Sequence, residues 1–145
     1  MPEPPPLSGA IIDGRHLLPL RVYYEDTDFS GAVYHANYLK FCERGRSDFL
    51  RCLGIHHHAL LERPDGLVFM VRRMVCDFLA PARIDDLLTV ETVPGAVGGA
   101  RLVLAQVVKR GETVLFTAEV TVALVGADGR PRRVPSDIRE KLSQA

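Results

Sequence analysis

The chain has 145 residues, the size of one ordinary domain. A hydrophobic share of 47% and a charged share of 25% fit a soluble globular protein, and 18 basic against 18 acidic side chains leave no formal net charge. That balance speaks against nucleic acid or an anionic membrane as an obligatory partner.

In chain order, the opening MPEPPPLSGA has three prolines in a row and no apolar run. It reads as neither a signal peptide nor an integral membrane segment. Residues 1–16 are expected to be a flexible lead-in, and 17–145 a single domain. His16 to Glu25 reads as a strand that ends in the acidic stretch Glu25-Asp26-Thr27-Asp28. Phe29-Ser30-Gly31 breaks the pattern, and a helix is predicted from about Ala36.

On that helix Tyr38, Phe41, Cys42, Gly45, Phe49, Cys52 and Leu53 share one face. Lys40, Glu43, Arg44, Ser47, Asp48 and Arg51 form the other. Gly45 in the apolar stripe costs about 1 kcal/mol relative to Ala, which close approach of the helix to a sheet would offset. Gly54 is the expected C-terminal stop.

Beyond Pro64-Asp65-Gly66 the chain is rich in Val, Leu, Phe and Thr, with strands predicted over Leu67–Leu79, Leu87–Val93, Arg101–Lys109 and Val114–Val125. Pro135 to Leu142 reads as a short helix. One strand, one long helix and four consecutive strands make an α+β domain with a mostly antiparallel, five-stranded sheet. Leu102-Val103-Leu104-Ala105 and Val120–Val125 are apolar on nearly every residue, so both sheet faces are expected to be buried. One helix covers only one face, and a second subunit is the natural cover for the other.

The chemistry concentrates in Tyr23 to Tyr38, YYEDTDFSGAVYHANY. Three carboxylates end a strand, a glycine turn follows, and a helix begins. A helix start offers unpaired N–H groups and a dipole that favours developing negative charge. A carboxylate together with oxyanion donors is what attack on a carbonyl requires. On physical grounds alone, Asp26 and Asp28 as mere caps of turn and helix explain the pattern equally well.

The run D-T-D-x-x-G-x-V-Y-H-x-x-Y-L-x-F-x-E-R, Asp26 to Arg44, resembles the 4-hydroxybenzoyl-CoA thioesterase superfamily, in the branch of Tol-Pal-associated acyl-CoA thioesterases. Phe69–Thr92, FMVRRMVCDFLAPARIDDLLTVET, is similar to a strand pair of that branch, and the likeness spans about residues 18–142. It implies a hotdog fold, an antiparallel sheet wrapped around one long central helix. It also implies hydrolysis of acyl-CoA without cofactor or metal, and a homodimer or homotetramer with active sites between subunits. By motif, Asp28 is the catalytic carboxylate, either nucleophile or general base. His35 marks the helix start whose backbone N–H activates the thioester, and Tyr24 matches a tyrosine that assists catalysis. Asp26 is cast as structural.

Other readings stay open. Glu43 is a rival carboxylate, because some hotdog thioesterases carry theirs on the central helix. The His35 ring is either a proton donor to the leaving thiolate or an ordinary surface group. His56-His57-His58 invites a metal, but consecutive residues point in different directions and rarely converge on one ion. Cys42, Cys52 and Cys76 lack C-x-x-C spacing, which points to free thiols in a reducing cytoplasm. Arg132-Arg133 is either a contact for a CoA phosphate across the subunit interface or an ordinary solvated pair, and the loop Pro94–Ala100 has no basic residue where some relatives place cations against the CoA nucleotide. The alternatives to a thioesterase are a hotdog dehydratase or hydratase, and a non-catalytic acyl-binding or scaffold protein.

Overall fold

The computed structural model describes residues 7–145, so residues 1–6 of the expected lead-in lie outside it. In chain order the elements are β1 (Ala10–Ile12), β2 (Arg15–Arg21), a 3-10 turn (Tyr24–Asp26), α1 (His35–Cys52), α2 (His57–Leu61), β3 (Val68–Phe78), β4 (Leu87–Val97), β5 (Arg101–Arg110), β6 (Thr113–Val125) and α3 (Ser136–Ser143). The strands form one antiparallel sheet in the order β1-β2-β4-β5-β6-β3, and α1 lies in its curve against β2, β4 and β5. That is the hotdog arrangement.

The sheet has six strands where the sequence reading expects five. The extra one, β1, forms from the expected lead-in, and β2 also starts inside it at Arg15. The cause is Asp13-Gly14, a two-residue turn with φ of 52° and 75°, across which Ile12 pairs with Arg15. Two left-handed central residues give the tight hairpin that matches the twist of the flanking strands.

The core is a continuous apolar cluster in which Phe41, Phe49, Phe116, Leu88, Leu104 and Leu124 are among the fully enclosed side chains. Gly45 meets β4 and β5 as expected. A Cβ there would lie 2.8 Å from Val90 Cγ1 and 3.1 Å from Gln106 Nε2. Gln106 fills that approach, donating to Cys42 O and Thr92 Oγ1, both at 2.9 Å.

Two helix assignments are corrected. Asp48, expected on the solvent face, is buried, and Cys52, expected on the apolar face, is exposed. The strand β2 and the segment before it cover the Asp48 side of α1. There Asp48 Oδ2 accepts from Gly9 N and faces His16 Nε2, each at 2.7 Å. The expectation that both sheet faces are buried is met unevenly within one chain. Edge strand β3 leaves Met70, Val71, Val75 and Phe78 about half exposed.

Candidate active site

Asp28 sits at the mouth of a miniature hairpin. Its N–H donates to Ala32 O at 2.8 Å, Gly31 N donates back to Asp28 O at 3.0 Å, and Thr27 bridges to Val33. Gly31 has φ of 84°, the left-handed residue that closes a three-residue loop built on a turn. A side chain there would strain the loop, so the glycine is what lets the carboxylate stand out at the tip. Val33 N donates to Ala82 O and Ala32 bridges to Arg83, which fastens the hairpin to the chain between β3 and β4.

The carboxylate is exposed and oriented by one neighbour. Ser30 Oγ donates to Asp28 Oδ1 at 2.5 Å, and Ser30 N to the same oxygen at 2.8 Å. The hydroxyl first, and then the backbone N–H, hold the Asp28 carboxyl below its ordinary value, so it is ionised at neutral pH. Oδ2 takes no hydrogen bond among the described residues, which leaves a lone pair on a charged oxygen free to act.

Asp26 is buried and has no such freedom. Its Oδ2 accepts from Tyr23 N at 2.8 Å, its Oδ1 from Asn37 Nδ2 at 3.0 Å, and its carbonyl from Tyr34 N at 2.9 Å. The structural role expected of it is the one it has. Sequence reasoning alone does not single out Ser30 or Asn37. A serine two residues after an aspartate is a turn signal that marks the first, whereas nothing local marks Asn37.

The helix start supplies donors. Tyr34 is the N-cap of α1, with φ −61° and ψ 134°, and its side chain makes no capping bond. Tyr34 N and Asn37 N are satisfied, while the N–H groups of His35 and Ala36 have no backbone acceptor among the described residues. The His35 ring lies 4.5 Å from the Tyr34 ring and 6.3 Å from that of Phe78, centroid to centroid. With Val33, Tyr38, Phe78 and Leu79, His35 lines an open recess of about 300 Å³.

The other sequence candidates fall elsewhere. Tyr24 lies in the 3-10 turn with its ring exposed, and no side-chain hydrogen bond joins it to Asp28. Glu43 is farther along α1, where its Oε1 accepts from Ser47 Oγ at 2.6 Å. Cys42 is enclosed, and burial pushes its thiol up to about 12, which suits a core residue and not a nucleophile. His56, His57 and His58 do not converge: His57 Nε2 lies 3.2 Å from Ser47 Oγ, and the rings of His56 and His58 are 6.2 Å apart. His16, Asp48 and Cys52 do cluster within 4.8 Å. Asp48 Oδ2 is already engaged there by Gly9 and His16, so the group is a clasp between β2 and α1. Arg132 pairs with Asp128 at 2.9 Å, and Arg139 of α3 donates to the carbonyls of Val97, Gly98 and Gly99 in the Pro94–Ala100 loop. No helix among the described residues is long and apolar enough to cross a membrane.

Known proteins resemble this chain over most of its length. The thioesterase superfamily profile matches residues 30–121. The acyl-CoA thioesterase YbgC of Haemophilus influenzae is 40% identical over 130 residues, covering 89% of this chain and 95% of that protein. The acyl-CoA thioester hydrolase YbgC of Escherichia coli O157:H7 is 42% identical over 132 residues, covering 87% and 94%. A crystal structure of a probable thioesterase from Bartonella henselae superposes with a TM-score of 0.81 at 48% identity, over 83% of this chain and 99% of that one. With a superfamily profile spanning most of its length, including Ser30, Gly31 and His35, and relatives matched nearly end to end, the chain belongs to the thioesterase superfamily.

Proposed function

We propose that the protein is an acyl-CoA thioesterase that cleaves acyl-CoA to a carboxylic acid and CoA, with Asp28 as the reacting carboxylate. The observation that carries this reading is the pairing, within eight residues, of an ionised and sterically free Asp28 with the open N–H groups of His35 and Ala36. The relatives named as acyl-CoA thioesterases, matched over most of their length, support the substrate class.

The thioester carbonyl oxygen accepts from the His35 N–H, helped by that of Ala36. Charge that develops on this oxygen is met by fixed donors and by the helix dipole. Asp28 Oδ2 attacks the carbonyl carbon, the C–S bond breaks, and CoA departs as a thiolate that takes up a proton. Water then cleaves the mixed anhydride, releasing the acid and restoring Asp28. The second route open to the same carboxylate is to hold and deprotonate the attacking water as a general base. The His35 ring stands beside the donor as an aid to the leaving group, and Tyr24 assists from across the loop.

The working unit in this reading is a homodimer, or a tetramer of two dimers. The half-exposed apolar residues of edge strand β3 support it, since a second copy added to that edge would cover them. The three free cysteines fit a cytoplasmic setting.

Thiol release from a panel of acyl-CoAs tests the activity, and Asp28→Asn tests the site. The variant keeps the shape but loses charge and nucleophilicity, so turnover should fall at least ~100-fold with the melting temperature unchanged. Retention of a tenth of wild-type activity would remove Asp28 from the centre and move attention to Glu43.

A further inference from the structure

The clasp between β2 and α1 gathers side chains of three different chemistries. Asp48 and Cys52 stand one turn apart on the same side of α1, and His16 of β2 and the Gly9 carbonyl close over them. One ligand-capable atom from each of His16, Asp48 and Cys52 lies within 4.8 Å of the other two. We propose that these three side chains, completed by the Gly9 carbonyl, form a structural site for one Zn²⁺ ion that fastens the N-terminal hairpin to the end of the long helix. The site stands apart from the reaction, since Asp48 lies roughly 20 Å along α1 from His35 at about 1.5 Å per residue. It does not depend on the thioesterase reading.

The ligand set comes first. Zinc takes imidazole nitrogen, thiolate sulfur and carboxylate oxygen, four ligands to an ion in a tetrahedron. Nitrogen and sulfur together favour it over magnesium or calcium, which take oxygen. His16 and Asp48 are buried and Cys52 is exposed, so an ion enters past the thiol. Gly9 is what lets its carbonyl come so close: a Cβ there would run into Leu17 O and stand 3.1 Å from Asp48 Oδ2.

Distances come next. Cys52 Sγ lies 3.7 Å from Asp48 Oδ2 and 3.6 Å from Gly9 O. Bonds of about 2.3 Å to sulfur and 2.0 Å to oxygen, in a tetrahedron, set sulfur and oxygen about 3.5 Å apart. A thiol has one proton and cannot give it to both oxygens, so one of these two approaches is not a hydrogen bond. The short edge is His16 Nε2 to Asp48 Oδ2, at 2.7 Å. An ion entering there replaces the proton between them and opens the pair by about 0.6 Å.

Charge and protons fit as well. Burial pushes the Asp48 carboxyl up, but hydrogen bonds from His16 and Gly9 outweigh it and leave it low, so the group is an anion. Arg51, itself half exposed, reaches only the other oxygen, Oδ1, at 3.6 Å. An ionised carboxylate only accepts, so the neutral His16 ring carries its proton on Nε2. Nδ1 is enclosed and has no partner among the described residues, which leaves it open to that proton. When the ion binds, the ring proton moves to Nδ1 and the Cys52 thiol gives its proton to solvent. Gly9 N continues to donate to Oδ2, at 2.7 Å, and orients the carboxylate as a ligand.

The test loads the full chain with metal alone. Protein stripped by a chelator and titrated with Co²⁺ should develop the visible bands of a tetrahedral ion and a near-ultraviolet thiolate-to-cobalt band. Both should saturate at one ion per chain, and Zn²⁺ should bleach them. Zn²⁺ at about 100 times its dissociation constant should raise the melting temperature by roughly 5–10 °C. Cys52 is at the surface, so Cys52→Ser should fold and melt like metal-free wild type. It should lose the thiolate band and most of the thermal shift, whereas Cys76→Ser keeps both. Replacing His56 and His58 together by Ala should change neither. A Co²⁺ titration without a thiolate band, a band that survives Cys52→Ser, or a melting temperature that Zn²⁺ leaves unmoved would each overturn the site. Binding that disappears with His56 and His58 instead would do the same, by placing the ion on the surface histidines.

Discussion

Replacing His35 by proline and by alanine separates the backbone donor from the imidazole. Position 35 is the first residue of α1, where proline is tolerated because no helical hydrogen bond needs its N–H. The residue before a proline must be extended, and Tyr34 already is, with ψ of 134°. His35→Pro should therefore fold, and its melting temperature should match that of His35→Ala. What it lacks is one oxyanion donor. Loss of such a donor costs ~3 kcal/mol in the transition state, a factor on the order of 100 to 1,000 in kcat. His35→Ala keeps the N–H and loses only the ring, which packs on Tyr34 and Phe78 and makes no hydrogen bond with another described residue. Its loss should be under ~10-fold, since a CoA thiolate leaves well without a proton donor. Thiol release by the two folded variants, at saturating and at low acyl-CoA, reads kcat and kcat/KM separately. Equal losses in the two variants would refute the backbone role.

Three further perturbations probe the same structure. Ser30→Ala removes the shorter of the two hydrogen bonds that keep the Asp28 carboxyl low, so the acidic limb of the pH–rate profile should move to higher pH, toward the ordinary carboxylate value; an unmoved limb would show that Ser30 does not tune Asp28. In Asp48, burial raises the carboxyl, but hydrogen bonds from His16 and Gly9 outweigh it and leave it low, so its contribution to stability is present at neutral pH and is lost as pH falls through the carboxylate range. Asp48→Ala strands His16, whose Nδ1 already lacks a partner among the described residues, and should cost ~3 kcal/mol at neutral pH, a fall of roughly 10 °C by thermal melt that shrinks in acid. Gly45→Ala gains ~1 kcal/mol of helix propensity but drives a methyl to 2.8 Å from Val90 Cγ1, so calorimetry should show net destabilisation of about 1–2 kcal/mol.

The elements that the sequence declares are those whose periodicity is long. α1 and β3 to β6 lie within a few residues of their expected bounds: α1 and β4 to β6 each bury a recurring stripe, and β3, which buries no residue completely, is marked by its valines and phenylalanines. β1 is three residues long and has no stripe. Its only local sign is Asp13-Gly14, a hairpin dipeptide easily passed over after a proline-rich start. Asp48 fails for a different reason. A helical wheel assigns a carboxylate to solvent by default, and its partner His16 is 32 residues away on another element. Periodicity carries no information about that pairing.

The same division runs through the candidate site. Asp28, Gly31 and the start of α1 are contiguous, so one stretch of sequence contains both the carboxylate and the donors it works with. Ser30 belongs to that stretch and Asn37 to its edge; their roles appear only once the hairpin and the helix are folded against each other. The apolar recess beside Ser47 has no such locality. Its floor comes from α1, β3, β5 and β6, residues from Leu50 to Val122, and no pair of them is adjacent in the chain. A strand pattern marks Leu102, Leu104 and Val122 only as core. Together with Glu43, Arg46 and Ser47 of α1 and Phe69 and Val71 of β3 they line a recess, which periodicity along any one strand does not show. The candidate reactive group can thus be read from one segment, whereas a recess such as this one is set by where several elements stop short of each other.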